Sequence, residues 1–274
     1  MTSTLPLVAA VAALAFNPAA RAQIIAYDGF AYTPGQSLDG QNGGLGFAGP
    51  WTVTGGTVIV QSGSLTPAAP ADGLATTGNS LSATGINPVG GATRPLSTPE
   101  GTAGSVLWIS AVMKGTGVNS LSAATEVILT DGTFDGFTIS SGTISNANWG
   151  LADAGAGTVT ASSSVPNSLQ SLLVVRATFG STNDVYDLFV NPPLTGSPPA
   201  TPDTSLTLTH GPALGVLKVV GASLSGAVSL FDEIHLGNTF TDVTTAPVPE
   251  PSAMLLVGIA GLGLMVRRRQ CRKT

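Results

Sequence analysis

The 274-residue sequence predicts an all-β protein, an antiparallel β-sandwich, with a short apolar segment at each end that lies outside the sandwich. Three observations carry that reading. Apolar residues in the interior of the chain alternate with polar ones instead of recurring every three or four positions. The alternating runs are separated by clusters of Gly, Pro, Ser, Thr and Asn, the residues of turns and strand ends. No interior stretch combines a helical period with helix caps, so a sheet here must pack on another sheet.

The amino-terminal element is an apolar stretch, Leu5 to Phe16, followed by Ala20-Arg21-Ala22. Small residues at Ala20 and Ala22 mark a signal-peptidase site, so residues 1–22 read as a signal peptide and Gln23 as the first mature residue. The stretch is too short to span a bilayer and too uniformly apolar for an amphipathic helix. No Lys or Arg precedes it, which leaves the amino terminus as its only positive charge. No cysteine lies nearby, so lipoprotein processing is excluded.

Within residues 23–246, Thr57–Gln61 reads as a strand. Val106–Met113 is apolar on both faces, as a central strand requires. Thr125–Thr130 and Phe137–Ser140 follow. Leu172–Phe179 sets Leu173, Val175, Ala177 and Phe179 on one face, with Arg176 and Thr178 on the other. After the turn Gly180-Ser181-Thr182-Asn183, Asp184–Val190 places Tyr186, Leu188 and Val190 on a face and ends at Asn191-Pro192-Pro193, since proline cannot donate to a ladder. The two form an antiparallel hairpin. Ser205–Thr209 and Val228–Leu236 complete the set.

The body carries four basic residues, Arg94, Lys114, Arg176 and Lys218, against fourteen acidic ones, a net charge of about −10. The whole-chain value of −5 conceals this, because six of the ten basic residues lie in the terminal segments. Four scattered cations cannot neutralise a row of phosphates, which argues against nucleic acid as a partner and against anionic lipid. The single cysteine, Cys271, is outside the body. A thiol catalyst and a Cys-based zinc site are excluded, and stability must come from burial and backbone pairing.

The carboxy-terminal segment, residues 247–274, has three parts. Val248-Pro249-Glu250-Pro251-Ser252 is a rigid polar motif; residues 252–266 form an apolar helix; and the tail 267–274 opens with Arg267-Arg268-Arg269. An apolar helix ended by a basic cluster inserts with that cluster in the cytoplasm. Its apolar run, Ala253 to Val266, is short: 14 residues at about 1.5 Å each reach about 21 Å, against a hydrocarbon core of about 30 Å. A marginal span suits a segment held briefly and then removed better than a permanent anchor. The glycines Gly258, Gly261 and Gly263 faintly echo a dinucleotide-binding loop, but that loop needs a strand before it and an amphipathic helix after it.

These three parts, in order and in contact, resemble the PEP-CTERM sorting signal of Gram-negative and related bacteria. The resemblance implies recognition of Pro249, Glu250 and Pro251 by a membrane-embedded exosortase, which cleaves near the motif and passes the body to the cell surface or extracellular matrix. Arg267, Arg268 and Arg269 would stop transfer. A second resemblance covers the body. Tyr27-Asp28-Gly29-Phe30, Leu38-Asp39-Gly40-Gln41-Asn42-Gly43-Gly44, Val174 to Phe179, Tyr186 to Pro192 and Phe231-Asp232-Glu233-Ile234-His235-Leu236-Gly237 look like exported bacterial proteins with a jelly roll of concanavalin-A-like, laminin-G-like type. That fold implies pairing of the first and last strands, and it carries no activity with it.

Chemistry is sparse. Glycanases of this shape use an E-x-D-x-x-E strand, and no such spacing occurs; Glu100, Glu126 and Glu233 are the body's only glutamates. Asp232 and Glu233 are adjacent and on a regular strand would face opposite ways, whereas retaining hydrolysis needs two carboxyls about 5 Å apart. Asp232, on the face of Val228, Leu230, Ile234 and Leu236, reads as a buried carboxyl bonding loop amides. Asp131-Gly132-Thr133-Phe134-Asp135-Gly136 could offer oxygens to Ca²⁺ but lacks a third acidic ligand, and a plain turn is the preferred reading. His210 and His235 read as surface or loop residues, and Trp108 as core. Trp149, beside Asn146 and Asn148, is the candidate sugar contact. No catalytic residue and no resident metal are expected. The functional expectation is a non-enzymatic surface or matrix protein. The alternative is a carbohydrate-binding module with an extracellular polysaccharide as partner, and a degenerate glycan hydrolase comes third.

Overall fold

A computed structural model describes residues 24–85, 90–115, 124–133, 136–141, 148–155, 161–222 and 228–245. The signal segment with Ala20 and Ala22, the sorting motif with Pro249, Glu250 and Pro251, the predicted membrane helix and Arg267–Arg269 lie outside these residues. Among the described residues, no helix is long and apolar enough to cross a membrane.

Fifteen strands form two antiparallel sheets among the described residues. In chain order they are β1 (Ile24–Asp28), β2 (Thr52–Gly55), β3 (Thr57–Gln61), β4 (Ser80–Thr84), β5 (Gly90–Glu100), β6 (Val106–Lys114), β7 (Ala124–Thr130) and β8 (Gly136–Ser141). There follow β9 (Asn148–Asp153), β10 (Ala161–Pro166), β11 (Ser171–Phe179), β12 (Asn183–Val190), β13 (Thr204–Thr209), β14 (Leu214–Ala222) and β15 (Ser229–Gly237). The first sheet runs β13-β12-β11-β6-β15-β4-β3, with β1 also on β15; the second runs β10-β9-β8-β7-β14-β5-β2. This layout is consistent with a jelly roll.

Every strand expected from alternation is present, and the predicted hairpin has Leu173 opposite Val190 and Ala177 opposite Tyr186. Its inward residues meet those of the second sheet, such as Val127, Leu129, Phe137, Ile139, Leu217 and Val219, in one core. β6 is central, as its two apolar faces require. Leu107, Ile109, Ala111 and Met113 point into that core, while Trp108 and Val112 join an outer cluster with Leu172, Val174 and Phe189. Leu65, Ala71 and Leu74, from the segment between β3 and β4, cover this outer cluster together with Phe240 and Val243.

Those last two residues belong to a helix that the sequence reading excluded. α1 (Phe240–Thr244) is one turn held by a capping box: the Thr239 side chain accepts from Asp242 N, and Asp242 Oδ2 accepts from Thr239 N at 2.9 Å. A single turn is too short to display a period, so only its caps could have betrayed it.

The first and last strands pair, with Tyr27 opposite His235 and Asp28 opposite Ile234. The expected geometry of the last strand needs correction. Glu233 has φ of 47° and sits in a bulge between Asp232 and His235. The extra residue reverses the side-chain alternation, because a bulge sets two residues against one on the partner strand. Phe231, Ile234 and Leu236 therefore all enter the main core, while Leu230 packs on the outer cluster. Asp232 does not share a face with Ile234 and Leu236.

The Asp28 and Asn42-Gly43-Gly44 stretches are tied together by the buried Arg94. Its Nη1 donates to Asp28 Oδ2 at 2.6 Å, its Nη2 to Asn42 Oδ1 and the Gly43 carbonyl, and its Nε to the Gly49 carbonyl. Asp28 also accepts from Tyr32 Oη, Trp51 Nε1 and Phe30 N. The guanidinium lies 4.0 Å from the centroid of Phe47. Five donors on a rigid fork suit such a site, where a lysine could not reach all the acceptors.

Tyr27 and Leu45 exchange backbone hydrogen bonds beside this network, and Gly46 follows with φ of 81°. A Cβ on Gly46 would lie 1.9 Å from the Ile25 carbonyl oxygen. Gly46→Ala is therefore expected to destabilise the domain by more than about 1 kcal/mol, read as a lower urea midpoint with an unchanged slope.

Candidate functional site

Where the chain crosses from β13 in the first sheet to β14 in the second, the end of the sandwich opens into a cleft of about 300 Å³. Gly136 of β8, Asp153 of β9, Asp184 and Tyr186 of β12, Thr207 and Thr209 of β13 and Leu214 of β14 line it. Register explains the convergence. Asn183, at the start of β12, pairs with Thr209 at the end of β13, and Phe137 pairs with Asp153 at the end of β9.

The Tyr186 ring is wedged between the sheets, its centroid 4.5 Å from that of Phe137 and 6.3 Å from that of Phe179. Burial raises its phenol above the ordinary range, and Asp184 and Asp153 push it in the same direction. Asp184 Oδ1 accepts from Gly180 N at 3.0 Å and lies 2.8 Å from His210 Nδ1. His210 is held by its own N–H to the Thr182 carbonyl. It lies in the loop after β13, as expected, but is partly buried and anchored by an aspartate.

The second histidine departs further. His235 is 2% exposed; its Nε2 lies 3.0 Å from Glu233 Oε2 and its ring packs edge-on to Tyr27 at 4.5 Å. Glu233 Oε1 accepts from Thr77 N and Thr77 Oγ1, and Thr77 Oγ1 hydrogen-bonds Tyr27 Oη at 2.7 Å. Asp232 behaves as anticipated for a structural carboxyl, since Oδ2 accepts from Leu65 N at 2.8 Å and Oδ1 from Glu233 N. Burial pushes it up to about 8. Together the two adjacent carboxyls of the bulge pin both ends of the segment that covers the outer cluster.

Trp149, the sequence candidate for sugar stacking, lies on β9 with 0% exposure, inside the main core. A stacking platform must present its face to solvent, so the structure removes Trp149 from that role. Its indole N–H has no partner among the described residues. At the candidate Ca²⁺ turn, Phe134 and Asp135 lie outside the described residues; Asp131 accepts from Thr133 N at 2.7 Å and from Thr133 Oγ1. Among the described residues no three His, Cys, Asp or Glu side chains converge on a common point.

Sequence reasoning missed the cleft. Asp153 and the Asp184–Tyr186 pair are distant in the chain, and no spacing relates them. The nearest signal was Asp184 and Tyr186 sharing one strand face.

Residues 247–269 match the PEP-CTERM protein-sorting motif. The chain thus carries a signal of that class, which implies export and membrane-associated sorting to the cell surface. No curated protein matches the chain. Among solved structures, a protein of unknown function from Shewanella oneidensis MR-1 is 13% identical with a TM-score of 0.43, covering 84% of this chain and 90% of its own. Lectin II from Ulex europaeus is 10% identical with a TM-score of 0.38, over 77% of this chain and 96% of the lectin. An alginate lyase from Corynebacterium sp. is 12% identical with a TM-score of 0.39, over 65% and 92%. The sandwich assignment rests on the strand pairing described above and not on these likenesses.

Proposed function

We propose that this chain is an exported cell-surface or extracellular-matrix protein with a non-enzymatic, structural or adhesive role. Residues 1–22 direct export, and the sandwich within residues 23–246 is the delivered cargo. Residues 247–274 hold it at the inner membrane until an exosortase cleaves near Pro249-Glu250-Pro251. The sorting motif over residues 247–269 is the observation that carries this reading. The short apolar run supports it, because a helix of about 21 Å makes a poor permanent anchor in a core of about 30 Å. Three arginines then keep the tail on the cytoplasmic side.

The body suits such a destination. Its core closes without cysteine, and its acidic charge keeps it from adhering to anionic lipid. Glu250→Gln, and separately deletion of Arg267 to Arg269, is expected to shift the protein from the surface fraction to the inner membrane with its carboxy-terminal residues still attached. Fractionation with mass spectrometry of the carboxy terminus reads this directly. Unchanged surface delivery by both variants, or surface material that keeps its arginines, would overturn the proposal.

A further inference from the structure

The eighteen residues between β3 and β4, 62–79, form a strap with no helix or strand of its own. It lies across the outer face of the first sheet, where Leu65, Ala71 and Leu74 close over Trp108, Val112, Leu172, Val174 and Phe189. The face beneath is aromatic: Trp108 stacks on Phe189 with centroids 6.1 Å apart and meets Phe240 edge-on at 5.5 Å. Three apolar plugs are few for a segment of this length, so burial holds it only weakly against the freedom it would regain on lifting.

Polar contacts complete the closure, and they concentrate at the bulge of β15. Asp232 Oδ2 accepts from Leu65 N at 2.8 Å near the start of the strap, and Glu233 Oε1 accepts from Thr77 N near its end. Gln170 adds bonds from Thr66 N and Ala68 N. The two bulge carboxyls are 0% and 1% exposed. Among the described residues neither pairs with Lys or Arg. One bulge thus ties down both ends of the cover without a cation to balance it.

Burial pushes the Asp232 carboxyl up to about 8, and the charge of the adjacent Glu233 works in the same direction. His235, further along β15, is bonded to Glu233. The paired β1 brings Tyr27 and Asp28, the latter held by Arg94, and β6 brings Lys114, opposite Leu230. Asp242 of α1 is spent on its cap, Asp72 is the strap's own charge, and β4 carries none. Ser64 and Leu65 of the strap both hydrogen-bond Asp232, so lifting the strap gives its charged form the water it lacks.

We propose that residues 62–79 are a pH-operated cover, which opens as a unit with the sandwich intact when Asp232 ionises and bares the apolar face around Trp108 and Phe189. A raised carboxyl favours the closed form fully below its ordinary value of 3.8 and loses that preference as the pH rises to about 8, so opening increases with alkalinity. At the cell surface the medium sets the pH directly. The inference goes beyond the adhesive reading above and rests on it for this setting alone, because its test reads opening where that reading is tested by delivery.

The test is hydrogen exchange with mass spectrometry on the full chain in detergent, at about pH 6 and about pH 9, each rate divided by the intrinsic rate at that pH. At the lower pH the strap amides are expected to be protected at least about a hundredfold less than those of β6 and β11, and at the higher to lose a further factor of about ten to a hundred. Asp232→Asn cannot ionise, so its strap should be less protected than the parent's at the lower pH and show no further loss at the higher. Leu74→Ala removes a plug and keeps both pins, so it should speed strap exchange at both pH values and keep the pH dependence. Strap amides that exchange in step with those of β6 and β11, equal strap protection at the two pH values, or the parent's dependence retained in Asp232→Asn would each overturn the inference.

Discussion

Replacing Arg94 with alanine is expected to destabilise the domain by about 3–5 kcal/mol, the usual loss when one member of a buried ion pair is removed. Arg94 and Asp28 are 2% and 1% exposed. Without the guanidinium, Asp28 is left with its Tyr32, Trp51 and Phe30 donors and no opposite charge. The Asn42, Gly43 and Gly49 oxygens lose their donors as well. For a domain of this size each kcal/mol lowers the melting temperature by about 2–4 °C, so the expected fall is roughly 6–20 °C. Arg94→Lys should recover only part of it, because a single ammonium cannot serve four acceptors. The double variant Asp28→Asn with Arg94→Met should lose less than the sum of its single variants, since partners in one network are not additive. A loss below about 1 kcal/mol for Arg94→Ala would show that the loop around Gly43 is held by something else.

Asp232 should give the protein an unusual dependence on pH. Its carboxyl ionises near 8 in the folded protein, against an ordinary value of 3.8, because burial disfavours the charged form more than the Leu65 and Glu233 N–H groups favour it. A group whose folded value is raised contributes stability that is fully present below its unfolded value and is lost as the pH rises through its folded value. The window is therefore about pH 4 to about pH 8, and within it stability falls with rising pH by as much as ~1.4 kcal/mol per unit. Glu126, also raised by burial, adds to the same trend. Urea midpoints between pH 5 and pH 9 would read this. Asp232→Asn should be less stable at pH 5, because its amide nitrogen faces an N–H it cannot accept from, and its midpoint should vary less with pH than that of the parent. A variant whose midpoint tracks the parent across the range would exclude Asp232 as the source.

The fold was largely legible in the chain because alternation is a local consequence of burial on one side of a sheet. Leu173, Val175, Ala177 and Phe179 announced their face directly, and Val106–Met113 announced its central place by being apolar on both. β2, β4, β5, β9, β10 and β14 escaped notice, several because small residues such as those of Ser80–Thr84 and Ala161–Pro166 contrast too little with turns. The cleft was not legible at all. Its aspartates come from β9 and β12, and nothing in their separation along the chain says that these strand ends meet. Trp149 misled for a related reason: polar neighbours suggested a loop, whereas its burial follows from the pairing of β9 with β8.

Local sequence alone determined that the chain carries a carboxy-terminal sorting motif, an acidic body without cysteine, and a set of strands bound to pack as sheets. These follow from charge, hydropathy and alternation, which are properties of neighbours along the chain. Tertiary structure alone decided three things: that a bulge at Glu233 turns Asp232 and His235 away from the main core, that Arg94 closes on Asp28 across 66 residues, and that two aspartates and a tyrosine meet at a crossover. Each depends on which strands become neighbours in space. That is fixed by how the two sheets bury their apolar faces together.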